Sequence, residues 1–349
     1  MDMAEQRENV AKWMSSDPIH GLSLPVGSDN VALHGSGTQA IFQALLALRE
    51  GNAKTALLVT PLYFSASGSC EILGFDQAFF PTLLEADGLP DVGALVHRIL
   101  RDKPDVVLAT NPIYPTGVLW PARALERVLR ACEEVDAVLV LDASQGALDW
   151  APSPERALGS VRIDALDNLI LVQSPAKALF LNGAKFAHTV TSIQRADDIR
   201  ENDEISNGSL SYLQALLASS AYAALGAGPS SPEGREVAAA REHNVARFRQ
   251  HHEDLIAMLD VPGLRFTKTQ SGVLTMLVCE GTRMTESEEK AFTFKVLQEH
   301  GVQAMPGSVM YVLEEGNPIA FRFCLALGLP ILRDGVRAIE SVYRREVIS

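Results

Sequence analysis

The feature that most constrains the fold of this chain is an alternation, between about residues 31 and 225, of short apolar runs with segments of helical periodicity. The apolar runs are continuous, which is typical of strands that are buried on both faces. Strands of this kind, separated by helices, build a mainly parallel sheet with helices on either side. We therefore predict a three-layer α/β domain with strands near 31–33, 55–59, 106–109, 137–141 and 169–172.

A break in this alternation at residues 226–232, which are rich in glycine, proline and serine, predicts a linker. After it we predict a long charged helix over 233–259, strands at 272–279 and 321–327, and a helix over 286–299 between them. This order is typical of a smaller α+β unit. The predicted parts of the chain are an N-terminal arm (1–30), a large domain (31–228) and a small C-terminal domain (229–349).

The charge of the chain limits its partners. Its 349 residues include 43 acidic and 30 basic side chains, for a formal net charge of −13. This argues against nucleic acid or an anionic membrane as a partner, and an anionic ligand would need a local positive pocket. The chain starts without a signal-peptide pattern, and no apolar run approaches the ~20 residues that cross a bilayer. With four scattered cysteines and no clustered histidines, we expect a cytoplasmic protein without a metal site.

One lysine stands just past the end of a predicted buried strand: Lys177, in the segment Ser174-Pro175-Ala176-Lys177. A lysine at such a position loses contact with water, and desolvation favours the neutral amine that forms Schiff bases. A carboxylate, Asp142, ends the preceding strand at the edge of a parallel sheet, where ligands usually bind. Together these residues indicate a reactive site at the carboxyl ends of the strands.

Other segments carry groups that suit a planar, phosphorylated ligand. Residues 35–38, Gly-Ser-Gly-Thr, precede a helix, where glycines allow close approach, hydroxyls donate and the helix start favours an anion. Tyr63 follows the second strand and offers an aromatic face. Two prolines and a glycine make the segment 111–117 a rigid turn. Arg322 lies among apolar residues of a late strand, where a charge needs a partner.

In their order along the chain these segments resemble the fold-type I pyridoxal phosphate (PLP) enzymes of the aminotransferase class I and II family. The resemblance runs from about residue 31 to the C-terminus and is strongest in S-x-x-K, N-P-x-x-P-T-G and the arginine strand. It implies that Lys177 carries PLP as a Schiff base, that Asp142 pairs with the ring N–H, and that Arg322 grips the substrate α-carboxylate. The other implied cofactor contacts are Ser36, Gly37, Thr38, Tyr63, Asn111 and Ser174.

The chain departs from the family pattern at three cofactor positions. Tyr114 stands where the family usually has an asparagine that bonds the phenolic oxygen of the ring. Gln145 stands where a tyrosine usually shares that oxygen, and Lys185 replaces a phosphate-binding arginine by a point charge. We predict that Tyr114 is catalytic and donates to the ring oxygen, that Gln145 supports it, and that Lys185 contacts the phosphate.

The segment before the glycine loop has 34 residues, fewer than is usual in the family. Two interpretations of it remain open. Residues 19–22 form a short arm that covers the substrate, with a contact at Gly21, or the segment is a disordered tail. The resemblance also implies a homodimer, because family members build each site at a subunit interface.

The expected function is that of a PLP-dependent aminotransferase, which moves the amino group of an α-amino acid to a 2-oxo acid through Lys177. Elimination, cyclisation or decarboxylation of an amino acid on the same scaffold is one alternative, and a non-catalytic PLP-fold binding protein is another. A nicotinamide dehydrogenase is disfavoured, because no carboxylate ends the strand at 55–59, where such an enzyme holds the ribose.

Overall fold

The computed structural model describes residues 3–84, 88–181, 183–208, 210–282, 284–312 and 318–348. Their strands are β1 (Val31–His34), β2 (Thr55–Thr60), β3 (Asp76–Pro81), β4 (Val106–Thr110), β5 (Val138–Asp142), β6 (Leu169–Gln173), β7 (Ala187–Val190), β8 (Leu264–Phe266), β9 (Leu274–Cys279), β10 (Met305–Pro306) and β11 (Ala320–Cys324). The α-helices are α1 (Ala4–Ser16), α2 (Gly37–Glu50), α3 (Phe64–Ile72), α4 (Val92–Asp102), α5 (Ala122–Val135), α6 (Pro175–Ala178), α7 (Ile193–Asn207), α8 (Tyr212–Ala227), α9 (Pro232–Met258), α10 (Glu286–His300) and α11 (Leu329–Tyr343).

The first seven strands form one sheet in the order β1-β7-β6-β5-β4-β2-β3. Strands β2 to β6 are joined by parallel pairing, whereas β7 runs antiparallel to both of its neighbours, β1 and β6. Because β7 runs antiparallel to both β6 and β1, β1 points in the same direction as β6. The predicted mainly parallel sheet is therefore confirmed, and the carboxyl ends of six strands meet at one edge.

Both faces of this sheet are buried, which explains why the apolar runs in the sequence are continuous. In β4, Val106 and Leu108 belong to the core on one face, while Val107 and Ala109 belong to the core on the other. All four side chains are at most 1% exposed. Since successive side chains of a strand point to opposite faces, a strand covered on both sides needs apolar residues at every position.

The last four strands form an antiparallel sheet in the order β10-β11-β9-β8. Helix α8 ends at Ala227 and α9 begins at Pro232, so the connection between them is shorter than the predicted linker at 226–232. Gly226, predicted to lie in the linker, is part of α8 and packs on α1: a Cβ there would lie 2.7 Å from the carbonyl oxygen of Asn9. The domain boundaries stay a prediction. No helix in the described part of the chain is long and apolar enough to cross a membrane.

Candidate active site

The site begins at the carboxyl edge of the seven-stranded sheet. Register places Asp142, the last residue of β5, between Thr110 at the end of β4 and Val172 of β6. The Asp142 carboxylate is half-buried, and its Oδ1 accepts the backbone N–H of Ser144 at 2.9 Å. This hydrogen bond holds one oxygen of the carboxylate in place at the end of β5.

Lys177 lies in α6, the short helix that follows β6. Its backbone N–H donates to the carbonyl oxygen of Ser174 at 3.1 Å, and Pro175 occupies the first helical position. Burial lowers the pKa of the Lys177 ammonium, and the negative charge of Asp142 partly opposes this shift. A lowered pKa favours the neutral amine, which is the nucleophilic form of lysine.

A polar cradle forms where β1 leads into α2. The Ser36 hydroxyl caps this helix by accepting the N–H of Gln39 at 3.1 Å, and Gly37 is the first helical residue. A Cβ on Gly37 would lie 2.7 Å from Ser144 Oγ, so the close approach of the two segments requires glycine. Thr38 and Lys185 also line this end of the site, where a helix start and a cation favour an anion.

A wall of the site comes from the four-stranded sheet. Arg322 and Cys324 are two residues apart on β11 and both face the site, and Cys324 pairs in register with Leu274. Arg322 Nη1 donates to the hydroxyl oxygen of Tyr114 at 2.6 Å. Burial raises the pKa of Tyr114, while the charge of Arg322 opposes the rise. Tyr114 therefore stays protonated at neutral pH and keeps an O–H to donate.

Tyr114 is held in place from two further sides. Its backbone N–H donates to the Thr110 hydroxyl at 2.9 Å, and its ring packs edge-on against Tyr63, with centroids 5.4 Å apart. The Gly117 N–H donates to the carbonyl oxygen of Ile113 at 2.9 Å, which closes the rigid turn that the prolines predicted. The tyrosine hydroxyl and the Arg322 guanidinium are thus oriented before any ligand binds.

These elements enclose one cavity of about 610 Å³, a size suited to a small-molecule cofactor with its substrate. Among the lining residues that the structure describes, the cations Lys185 and Arg322 stand against one carboxylate, Asp142, and Lys177 adds an amine whose lowered pKa favours the neutral form. A chain with a net charge of −13 thus has the local positive pocket that an anionic ligand needs. The predicted site residues in this lining are Ser36, Gly37, Thr38, Tyr63, Tyr114, Asp142, Gln145, Ser174, Lys177, Lys185 and Arg322.

Two predicted site residues, Asn111 and Gly21, lie outside the lining. The buried Asn111 carboxamide oxygen accepts the backbone N–H of Trp120 at 3.2 Å, so this side chain braces the turn. Gly21 packs against the end of α1, where a Cβ would lie 2.5 Å from the carbonyl oxygen of Asp17. The arm is folded here rather than disordered. Ligand contacts by Asn111 and Gly21 stay predictions that the geometry does not support.

The lining also includes residues that the sequence analysis missed. Ser144 is the most informative of them: it is 5% exposed, and its Oγ has no hydrogen-bond partner among the described residues. Val273, Leu274 and Cys324 add an apolar surface on the side of the four-stranded sheet. A serine two residues after a strand-end aspartate carries no motif of its own, so sequence gave no signal for it.

Comparison with known proteins identifies the family. A family model described as aminotransferase class I and II matches residues 1–331. The chain belongs to this family. Aminotransferases of the class use PLP, and the resemblance noted from the S-x-x-K segment, the proline-rich turn and the arginine strand is confirmed.

Individual relatives in the family are distant. The histidinol-phosphate aminotransferase of Rhodococcus opacus is 30% identical over 152 residues, which are 44% of this chain and 37% of that relative. The match therefore spans well under half of the relative's length. The aspartate aminotransferase of Thermotoga maritima is 20% identical over 346 residues, covering 97% of this chain and 80% of the relative.

Solved structures of aminotransferases share the fold. The crystal structure of the Thermotoga maritima aspartate aminotransferase matches with a TM-score of 0.78 at 18% identity, over 97% of this chain and 81% of that one. The aromatic aminotransferase of Pyrococcus horikoshii matches with a TM-score of 0.82 at 17% identity, over 99% and 87%. At these identities the likeness establishes the fold, including the mainly parallel sheet.

The cavity fits the cofactor of the aminotransferase family. A phosphate group matches the cationic, hydroxyl-rich cradle at the start of α2, and an aldehyde needs the amine that Lys177 provides. A ring nitrogen that holds a proton needs a carboxylate such as Asp142. The unpartnered Ser144 Oγ adds a buried donor that a polar ligand would satisfy.

Proposed function

We propose that the protein is a PLP-dependent aminotransferase that transfers the amino group of an α-amino acid to a 2-oxo acid. The observation that carries the proposal is that one cavity joins Lys177, Asp142 and Arg322, which come from α6, β5 and β11. Membership of the aminotransferase family supports the same activity. When bound, PLP supplies a ring that accepts the electrons left when a bond to the substrate Cα breaks.

The residues of this chain have distinct parts in the proposal. Lys177 holds the cofactor through its Nζ and, once an incoming amino acid has freed that amine, moves protons at the substrate Cα. Asp142 keeps a proton on the ring nitrogen. The hydroxyls of Ser36 and Thr38, with Lys185, bind the phosphate, and Ser174 joins them when its O–H turns from the Phe186 carbonyl to the phosphate. Gln145 and Tyr63 contact the ring.

The wall formed by the four-stranded sheet orients the substrate. The Arg322 guanidinium grips the α-carboxylate, and a forked cation fixes its direction better than a point charge. The Tyr114 hydroxyl, 2.6 Å from Nη1, holds that guanidinium and directs its own O–H toward the ring oxygen. This arrangement determines which bond to Cα is perpendicular to the plane of the ring, and it prevents free rotation of the substrate.

The protein is further proposed to act as a cytoplasmic homodimer. Helix α8 starts beside the phosphate cradle, because Gln214 donates to the carbonyl oxygen of Lys185 at 3.0 Å. Its residues Tyr212, Leu213 and Leu216 are 71%, 66% and 51% exposed, an apolar face that a second copy would cover. Four free cysteines support a reducing compartment. Leu213→Glu is expected to shift the sedimentation coefficient toward that of a monomer, and an unchanged dimer would contradict this contact.

The test of the activity is one turnover of the PLP-loaded protein with a panel of amino acids, without any 2-oxo acid. Transamination releases a 2-oxo acid and leaves the nitrogen on the cofactor as its amine form. Free ammonia instead would indicate elimination, carbon dioxide would indicate decarboxylation, and no product would favour a binding protein. Lys177→Ala is the control that removes the proposed proton carrier while Lys185 remains.

A further inference from the structure

Ser144 is a buried hydroxyl in the cavity to which neither the family resemblance nor the proposed function gives a role. Its backbone N–H donates to Asp142 Oδ1 at 2.9 Å, which fixes the residue beside the strand end. The side chain is 5% exposed and lines the cavity. The residue therefore lines the cavity, while its Oγ is shielded from water.

The hydrogen-bonding state of Ser144 differs from that of the other serines at this end. Ser36 Oγ accepts the Gln39 N–H at 3.1 Å, and Ser174 Oγ donates to the carbonyl oxygen of Phe186 at 3.0 Å. Ser144 Oγ has no partner within the described ranges of the chain. An unpaired buried hydroxyl destabilises the folded protein, so its retention calls for a ligand that satisfies it.

The position of Ser144 shows which part of a ligand it can reach. A Cβ built on Gly37, the first residue of α2, would lie 2.7 Å from Ser144 Oγ and 3.6 Å from Ser174 Cβ. Ser144 Oγ and Ser174 Cβ thus both lie beside the first residue of a 14-residue helix. The exposed Lys185 is the lysine at this end, a point charge that holds an anion less directionally than an arginine fork.

We propose that the Ser144 hydroxyl donates a hydrogen bond to the phosphate of PLP. It acts with the start of α2, Ser174 and Lys185, and fixes the direction of the phosphate that Lys185 alone would leave free. The inference rests on the proposed cofactor site and adds to it a donor that has no counterpart among the predicted contacts.

The experiment compares PLP with pyridoxal, which has the same ring and aldehyde but no phosphate. Dissociation constants of both are measured by visible absorbance titration of the cofactor-free protein, for wild type and Ser144→Ala. We expect Ser144→Ala to weaken PLP binding roughly tenfold, the effect of one hydrogen bond to a charged acceptor, and to leave pyridoxal binding unchanged.

A matched control is Ser271→Ala. Ser271 is likewise a buried serine whose Oγ has no partner in the part of the chain described, but it lies outside the cavity lining. Its replacement should change neither dissociation constant. Thermal unfolding without cofactor provides a second readout: Ser144→Ala should be as stable as wild type or more so, because an unsatisfied hydroxyl is removed.

The outcomes separate the inference from the proposed function. Equal weakening of PLP and pyridoxal would show that Ser144 serves the ring, and no weakening of either would show that it binds neither part. Both results overturn the inference while the cofactor site stands. Failure of the wild-type protein to bind PLP at all would overturn the proposed function together with the inference.

Discussion

The two sides of the cavity are built in different ways. The edge of the seven-stranded sheet supplies Asp142 from the end of β5 and Lys177 from α6, which follows the neighbouring parallel strand β6, so the order of the strands brings the two residues to the same edge. The wall from the four-stranded sheet supplies Arg322, which donates to the Tyr114 hydroxyl at 2.6 Å. The difference suggests a division of labour: the sheet edge serves the cofactor and its chemistry, and the wall serves the substrate.

The largest effect is expected from a change at the sheet edge. Asp142→Asn removes the charge that keeps a proton on the ring nitrogen, and we expect kcat to fall by roughly 10³-fold while PLP still binds. In the wild-type protein the negative charge of Asp142 partly opposes the lowering of the Lys177 pKa by burial. Loss of this charge therefore lowers the pKa of Lys177 further. Single-turnover kinetics measure the effect. An effect confined to KM for the amino acid would break the proposed division.

A change in the wall should show the opposite pattern. Arg322→Gln removes the guanidinium from the α-carboxylate, and we expect KM for the amino acid to rise roughly 10- to 100-fold, as for a lost charge-assisted bond. Steady-state kinetics test this, and an amine without a carboxylate is the control substrate, whose reaction should be insensitive to the change. Equal losses for both substrates would assign Arg322 to the chemistry.

The sheet behind the site contains a buried histidine, His188, which gives the stability of the fold a pH dependence of its own. His188 on β7 lies 3.0 Å from the Tyr222 hydroxyl and 3.2 Å from Gln173 Oε1, and burial, with a smaller effect of His34, lowers its pKa to about 3. In the unfolded chain His188 binds a proton near pH 6.5, whereas in the folded chain it stays neutral until the pH approaches 3. The free energy of unfolding therefore falls as the pH drops from about 6.5 toward 3.

For His188 this loss amounts to about 2 kcal/mol between pH 7 and pH 5. His252, whose pKa burial lowers to about 4, acts with the same sign. Urea unfolding at the two pH values should therefore show a smaller difference for His188→Gln than for wild type. An identical pH dependence would mean that His188 is protonated in the folded protein, which would contradict the lowered pKa that its burial implies.

The smallest effect is expected at Tyr114, where the two sides of the cavity meet. Tyr114→Phe removes the hydroxyl that holds Arg322, and KM should rise about fivefold, as for one ordinary hydrogen bond. If the same hydroxyl also donates to the ring oxygen, the pH titration of the visible absorption band shifts as well. An unshifted titration would assign Tyr114 to the substrate wall alone.

The residues at the edge of the seven-stranded sheet could be predicted from the sequence because their positions depend on neighbouring residues in the chain. A residue directly after a continuous apolar run, such as Asp142, or a few residues beyond one, such as Lys177, is expected where parallel strands end. Strands without such runs were missed: β7 contains His188 and Thr189, and β3 begins with the exposed Asp76. Their burial and pairing depend on neighbours that are remote along the chain.

Side-chain direction is what the sequence could not provide. Asn111 lies beside cavity-lining residues in the chain, yet its carboxamide turns to Trp120. Gly21 packs under α1, a helix that the sequence analysis did not predict. The unsatisfied hydroxyl of Ser144 becomes visible only when three segments are brought together. Proximity along the chain therefore predicted which segments form the site, but not every side chain that faces it.

The most direct test of the account is the visible absorption spectrum of the protein with PLP, compared among wild type, Lys177→Ala and Lys185→Ala. Both lysines line the same cavity, but the account gives the Schiff base to Lys177 alone. We predict the lysine-bound PLP band in wild type and in Lys185→Ala, with weaker binding in the latter, and its absence in Lys177→Ala. A band that persists in Lys177→Ala, or that is lost only in Lys185→Ala, would contradict the account.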